Sequence, residues 1–313
     1  MPASPRVALA AAACAAAISL GACADGKPAH AAWPDPAEPG DVVALALPYA
    51  GPTGGWSGID VSEDGTRFWA VTDAGRLAQG RLLREGGRLT GVEGGAPRAL
   101  PLPPDVGRTD AEGIDVSNGE TWISVEGVNR IYRLPEGGRM IAAPVPPLSA
   151  ERLGNTGLEA LARDAEGRLY TLPERPPARY GPFPVYPLLR FDPQTEGWDI
   201  VASLAHDPEW LATGADFGPD GALYLLERRF GGIAFSSRIR RFELGRGEAG
   251  LQGDLVYLSA FGTHGNLEGL AIWRDAAGAL RAVMVADDNH KAFQRSEIVE
   301  VTLPPLASGA DGE

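Results

Sequence analysis

Cysteine is almost absent from this chain. There are two in 313 residues, Cys14 and Cys23, both near the N-terminus. A leader cut near Cys23 discards Cys14, so an intrachain disulfide framework is excluded. Histidine is also scarce, with four residues and no His or Cys pair at ligand spacing, which disfavours zinc. Positive charge is short: 28 Lys and Arg stand against 41 Asp and Glu, a net charge of −13. That balance argues against non-specific nucleic-acid binding, which needs a basic footprint. No stretch is apolar enough to span a bilayer. No stretch sustains a 3.6-residue period, so a helical solenoid is not expected. A Gly-x-Ser-x-Gly elbow is missing, because Gly55-Trp56-Ser57-Gly58 is off by one position. P-loop and Rossmann fingerprints are missing too.

What the chain does have is glycine, proline and a repeat. The 41 Gly and 27 Pro are spread without a short period, as many tight turns require. One phrase recurs roughly every 50 residues. Its copies are SGIDVSEDGTRFWAVTD from Ser57, EGIDVSNGETWISVE from Glu112, LEALARDAEGRLYTLPER from Leu158, TGADFGPDGALYLLER from Thr213 and NLEGLAIWRDAAGALRAVMVADDNH from Asn266. Each reads as a strand, a polar turn and a second strand. Third strands follow at Arg76–Gln79, Arg130–Leu134, Leu188–Phe191, Arg238–Phe242 and Glu297–Val301. Fourth strands are expected at Ala99–Leu102, Ile141–Ala143, Ile200–Leu204 and Leu255–Leu258. The last copy lacks a fourth strand, and the unpartnered run Asp41–Pro48 can supply it. Five four-stranded antiparallel units closed by an N-terminal strand make an all-β propeller, with six blades as the alternative. Small residues at Gly58, Gly113, Ala160, Gly214 and Gly269 suit a crowded axis.

The expected organisation is a leader over 1–23, a flexible linker over 24–40, the propeller over 41–304 and a disordered tail over 305–313. Arg6 precedes the apolar run Val7–Leu20, the pattern of a signal peptide. Leu20-Gly21-Ala22-Cys23 resembles a lipobox, which would lipidate Cys23; Ala22-Cys23-Ala24 is the competing ordinary cleavage site. The expectation is an exported, periplasmic monomer touching membrane only through that anchor, with no nucleic-acid partner.

The acidic ends of the repeats carry the chemistry. Ser57, Glu112, Glu159, Thr213 and Glu268 align at the start of the innermost strand. The second strands end in Asp73, Glu126, Glu174-Arg175, Glu227-Arg228 and Asp287-Asp288-Asn289. In an antiparallel pair these two positions meet at one mouth of the channel. Crowded carboxylates repel unless a proton or a cation intervenes. Calcium, with six to eight oxygen ligands, suits such a set, and Glu112, Glu159, Glu268, Asp288 and Asn289 are the candidate ligands. The competing reading makes each glutamate a latch on the next blade's backbone. Arg175 and Arg228 are candidate anion binders, with ion pairing to Glu174 and Glu227 as the alternative. His264 or a carboxylate such as Glu159 is the candidate base that activates water, with His290 as the alternative histidine.

Gly154–Ala162, Pro173-Glu174-Arg175, Arg238–Arg241, Asn266–Leu270 and Asp287-Asp288-Asn289 together resemble the phytase-like propeller domain described as "esterase-like activity of phytase". The resemblance runs from about Ala50 to Leu303. It implies hydrolysis of a phosphoester or carboxylic ester by an exported propeller. The lysine- and tyrosine-rich phosphate cradle of calcium-dependent propeller phytases has no counterpart here, which argues against phytate. The strand grammar also resembles calcium-dependent propeller lactonases. The leading expectation is therefore a metal-assisted hydrolase of an anionic ester. The alternative is a non-catalytic envelope lipoprotein that binds a glycan, peptide or protein.

Overall fold

A computed structural model describes residues 41–47, 55–103, 106, 110–148, 157–177, 185–245, 250–289 and 294–305. The leader, Cys23, the linker, His290, Gly154–Thr156 and residues 306–313 of the tail lie outside the described residues. No helix occurs among the described residues.

Five antiparallel sheets follow one another along the chain. Blade 1 contains β2 (Trp56–Val61), β3 (Arg67–Thr72), β4 (Arg76–Glu85) and β5 (Arg88–Gly94), with β6 (Arg98–Ala99) added to β4. Blade 2 contains β7 (Ala111–Ser117), β8 (Glu120–Val125), β9 (Arg130–Leu134) and β10 (Ile141–Ala142). Blade 3 contains β11 (Leu158–Arg163), β12 (Leu169–Pro173), β13 (Val185–Asp192) and β14 (Gly197–Ala205). Blade 4 contains β15 (Leu211–Phe217), β16 (Leu223–Phe230), β17 (Phe235–Phe242) and β18 (Asp254–Leu258). Blade 5 contains β19 (Asn266–Arg274), β20 (Leu280–Asp287), β21 (Glu297–Thr302) and, on its outer edge, β1 (Val42–Ala46). The inner strands β2, β7, β11, β15 and β19 pack in a closed ring. The chain is a five-bladed propeller.

The first strand closes the last blade, as the missing fourth strand in the sequence requires. Val42 pairs Val301 and Ala46 pairs Glu297. A buried fork reinforces the seam: Arg84 of β4 donates to both oxygens of Glu300 on β21, at 2.8 and 2.6 Å. One expected strand is displaced. In blade 1 the outer strand is β5, not Ala99–Leu102, because Gly86 and Gly87 both take positive φ and turn the chain tightly after Glu85. Ala99 instead pairs Arg76 as part of β6.

The core lies between blades. Leu226 and Tyr257 of blade 4 pack with Leu270, Met284 and Val299 of blade 5. Phe68 and Leu82 of blade 1 meet Trp273 and Val285 of blade 5. Each second strand supplies both faces of these layers, which explains near-continuous apolar runs such as LYLL and AVMVA.

The axis is crowded, for the reason the small residues suggested. A Cβ on Gly58 would stand 2.5 Å from the Glu112 carbonyl oxygen; on Gly269 it would stand 2.6 Å from the Ile59 nitrogen. The void left at the waist is about 10 Å³, no more than one water occupies. The channel therefore has two separate ends.

Candidate functional site

Each inner strand enters the waist through an irregularity. The ladders shift register between Trp56 and Gly58, Ala111 and Ile114, Leu158 and Ala160, Ala212 and Gly214, and Leu267 and Gly269. These shifts enclose Ser57, Glu112, Glu159, Thr213 and Glu268. A bulge re-aims a side chain, and here five of them place the aligned position at one mouth.

Two of the five close on backbone. Ser57 Oγ donates to the Gly55 carbonyl at 3.2 Å, and Thr213 Oγ1 donates to the Leu267 carbonyl of the next blade at 3.2 Å. The three glutamates behave differently. Glu268 is held by Arg228 and by the Asn266 amide, the latter at 2.5 Å. Arg228 also donates to the Asn266 side-chain oxygen at 2.9 Å and to Glu174 at 3.2 Å. One guanidinium thus ties blade 4 to blades 3 and 5. Burial works against its charge, but Glu268, Glu159 and Glu174 outweigh that and raise its pKa. Glu268 is pushed up to about 7 by burial, with Arg228 opposing and Asp287 adding to the rise.

Among the described residues no cation makes a hydrogen bond or ion pair to Glu112 or Glu159, although Arg228 is near enough to oppose the rise in both. Burial drives both well above the ordinary carboxyl value. Glu268, Asp110 and Glu126 add repulsion at Glu112; Glu112, Glu174 and Glu126 add it at Glu159. Asp110, Glu112 and Glu126 each place an oxygen within 4.8 Å of the other two. Two ligands held 2.3–2.6 Å from one calcium ion stand no more than about 5 Å apart, so the spacing is of the order that shared ligands adopt. Glu126 is also held by the Gly157 amide, which donates to its Oε1 at 3.1 Å. The acidic group fits a divalent cation.

The other expected site residues are distributed as follows. Arg175 reaches Glu174 at 3.6 Å and is otherwise exposed. Asp288 accepts from the Ser296 hydroxyl at 2.9 Å. Asn289 donates its backbone N–H to Asp287 at 2.7 Å and its amide to Gln294 at 2.8 Å. His264 is buried, with Nδ1 3.7 Å from a Glu297 oxygen. That is an ion-pair distance beyond hydrogen-bond reach. Glu227 pairs Ala212 as Val125 pairs Ala111 and Pro173 pairs Leu158, one residue short of the position of Glu126 and Glu174, which Arg228 takes instead; it lies on the other strand face and is sealed by Arg238 and Arg240 at 2.7–2.8 Å.

Asp110 and Asn266 were not singled out from sequence. Both stand two residues before an aligned glutamate, in DAEGID and NLEGLA. Alternate residues of a strand share a face, so the i−2 position is the signal that could have found them.

The opposite end of the axis is also acidic. A cavity of about 1400 Å³ there is lined by Asp60, Asp115, Asp216, Arg163 and Trp69, among others. Its central carboxylates are already engaged. Asp60 accepts from the Val61 and Val116 amides at 2.7 and 2.5 Å; Asp216 accepts from the Phe217 and Ile272 amides at 2.8 and 2.6 Å. Asp115 accepts from the Ser117 hydroxyl at 3.0 Å and pairs Arg163 at 3.5 Å. Asp60 and Asp216 thereby latch onto the backbone of the next blade at this end, as Glu126 does at the glutamate mouth. That leaves the glutamate mouth as the place where charge is gathered without being fully spent.

Comparison with known families agrees with this architecture. The model described as "Phytase-like: Esterase-like activity of phytase" matches residues 51–290. The chain belongs to the phytase-like family. The matched span of this phytase-like propeller begins just before β2 and ends just after β20. Comparison with curated proteins returns no match. Among solved structures, virginiamycin B lyase from Staphylococcus aureus is 13% identical, with TM-score 0.41, over 84% of this chain and 99% of that one. A luciferin-regenerating enzyme is 12% identical, with TM-score 0.47, over 84% and 95%. The PQQ-bound aldose sugar dehydrogenase from Streptomyces coelicolor is 12% identical, with TM-score 0.42, over 84% and 99%.

Proposed function

We propose that this phytase-like propeller is an exported hydrolase of an anionic phosphoester or carboxylic ester, working at the glutamate mouth with a bound divalent cation. The observation that carries the reading is the gathering of Asp110, Glu112 and Glu126 beside half-buried Glu159, with Arg228 serving Glu174 and Glu268. Such a set needs added positive charge, and oxygen-only ligands of this kind favour calcium. Asp110, Glu112 and Glu126 would hold the ion, which would supply polarisation of the ester oxygen and acidification of water.

The chain's own groups do the rest. Burial and the repulsion of Glu112, Glu174 and Glu126 raise the pKa of Glu159, which favours its proton, and it would hand that proton to the departing alkoxide as that oxygen gathers charge. Arg228 has three of its five N–H groups committed to Asn266, Glu268 and Glu174. It fixes the glutamates and offers its remaining donors to the anion. Arg175, exposed at the same strand end, adds a second positive charge for the substrate. Export rests on the leader sequence and its cysteine.

The test is a titration with Ca²⁺, followed by a screen of aryl phosphates, aryl esters and lactones with and without the ion. Binding heat and cation-dependent turnover, lost in Glu159→Gln, support the proposal. No heat and no turnover with any ester would overturn it and favour a binding lipoprotein instead.

A further inference from the structure

The second and third strands of blade 4 rise above the mouth. In blades 1 and 2 the pairing of these strands stops at Thr72–Arg76 and Val125–Arg130. In blade 4 it continues past Glu227–Arg238 through Arg228–Ser237 and Arg229–Ser236 to Phe230–Phe235. Three further pairs lift the tip by about 10 Å. The tip is apolar. Phe230 is 58% exposed and Ile233 is 92% exposed, at a turn made by Gly231 and Gly232. Phe230 and Phe235 face each other across the hairpin with ring centroids 5.0 Å apart. Behind them, Phe261 packs against Gly231. Four of the eight exposed large hydrophobic residues among the described residues, Phe230, Ile233, Leu258 and Phe261, belong to this one corner.

The hairpin is continuous with the site. Alternate residues of a strand share a face, so Phe230 stands on the face of Arg228, about 7 Å beyond it. A molecule whose anionic or ester group reaches Arg228 and Glu159 therefore passes Phe230 on its way out. We infer that the substrate carries an alkyl chain next to its reacting group, and that Phe230, Phe235 and Ile233 cover that chain. This rests on the hydrolase reading for the identity of the site, but the chain-binding subsite is measurable without turnover. The acidic mouth surrounds the polar end, and the crest excludes water from one side of the apolar end.

Two series test it on the full mature chain with Ca²⁺ present. The first is binding of ethyl-, butyl- and octylphosphonate by calorimetry. Each methylene covered on one or both sides tightens binding about two- to fourfold, so octylphosphonate should bind at least about tenfold more tightly than butylphosphonate. Phe230→Ser and Ile233→Ser should flatten that gradient to about threefold or less while ethylphosphonate affinity stays unchanged. The second is kcat/KM for 4-nitrophenyl acetate, butyrate and octanoate, which should rise with chain length in the parent and not in the variants. A binding gradient that the variants abolish, without turnover of any ester, sustains the subsite and removes the hydrolase reading alone. A flat gradient in the parent overturns the inference, as does a steep one that both substitutions leave intact. Thermal melts confirm the fold of each variant, and Ile233→Ser alone suffices because its side chain is almost fully in solvent.

Discussion

Glu126 and Glu174 occupy one position of the repeat, and in blade 4 Arg228 takes that position while Glu227 stands one residue earlier, where blades 2 and 3 have Val125 and Pro173. Glu126 joins Asp110 and Glu112, Glu174 shares Arg228, and Glu227 is enclosed by Arg238 and Arg240. Burial opposes the charge on Glu227, but Arg240 and Arg238 overcome it and hold its pKa below the ordinary value. Removing that carboxylate takes the main counter-charge from two buried guanidiniums, leaving Arg238 its longer contact to Asp207 and Arg240 its bonds to the Gln252 and Ala205 carbonyls. Glu227→Gln should cost about 3–5 kcal/mol, read as a fall of roughly 10 °C in melting temperature. Glu159→Gln is expected to do the opposite: it removes a half-buried ionisable group that faces Glu112 and Glu174. Stability should be unchanged or higher, while turnover of ester falls by about 100-fold or more, the usual worth of a general acid. A melt and a kcat measurement on the same sample separate the two effects. That the second strands end in carboxylates was legible, but which glutamate is spent on an arginine was not. That depends on neighbours some 40–54 residues away, as the Arg228 contacts to Glu268 and Glu174 show.

At the scale of the element, the inner strand does most of the placing. Its bulge aims the aligned residue at the mouth, and its following small residue lets the next blade approach. Gly269→Ala puts a methyl 2.6 Å from the Ile59 nitrogen and 2.8 Å from the Gly58 carbonyl carbon, both backbone atoms. The ring must open there, at a cost of about 1–3 kcal/mol, measurable by denaturant unfolding. The edge strand matters as much. Removing residues 1–47 strips β1 from β21 and leaves an open ladder edge. Loss of a single cooperative melt and a shift to higher-mass species on size exclusion are expected. The strand grammar was readable because Asp-Gly, Asn-Gly and similar turns punctuate it. The bulges were not, since nothing in a single copy of the phrase distinguishes a regular ladder from one that slips at Glu112 or Glu268.

The whole molecule is a ring with two acidic ends of different kinds. At the far end, burial raises Asp115 to about 6, against Arg163 and the Ser117 hydroxyl, and Asp216 to about 8, against the Ile272 and Phe217 amides that favour its charged form. In the unfolded chain both ionise near pH 4. Between that value and the raised folded ones, the folded state holds more protons than the unfolded state, so stability falls as pH rises. Thermal melts in chelator should therefore decline from about pH 5 to about pH 8, and Asp216→Asn should flatten the slope. The proposed calcium site is at the other end. Bound at 100 times its dissociation constant, the ion should add about 2.7 kcal/mol to stability, and Glu112→Gln should remove most of that gain.

The sequence by itself determined the architecture: five copies of one phrase, one missing strand and an orphan strand to replace it leave a closed ring of blades as the economical solution. Periodicity, turn chemistry and small axial residues are local properties, so a single chain displays them. Only the tertiary structure decided which carboxylates share a point, which are neutralised by Arg228, and which act as latches. Those outcomes depend on ångström-scale distances between residues of different blades, and on burial, which the one-dimensional pattern of charges does not encode. It also lifted the apolar hairpin Leu223–Phe242 beside the mouth, because the height of a hairpin is set by how far its ladder continues, not by its composition.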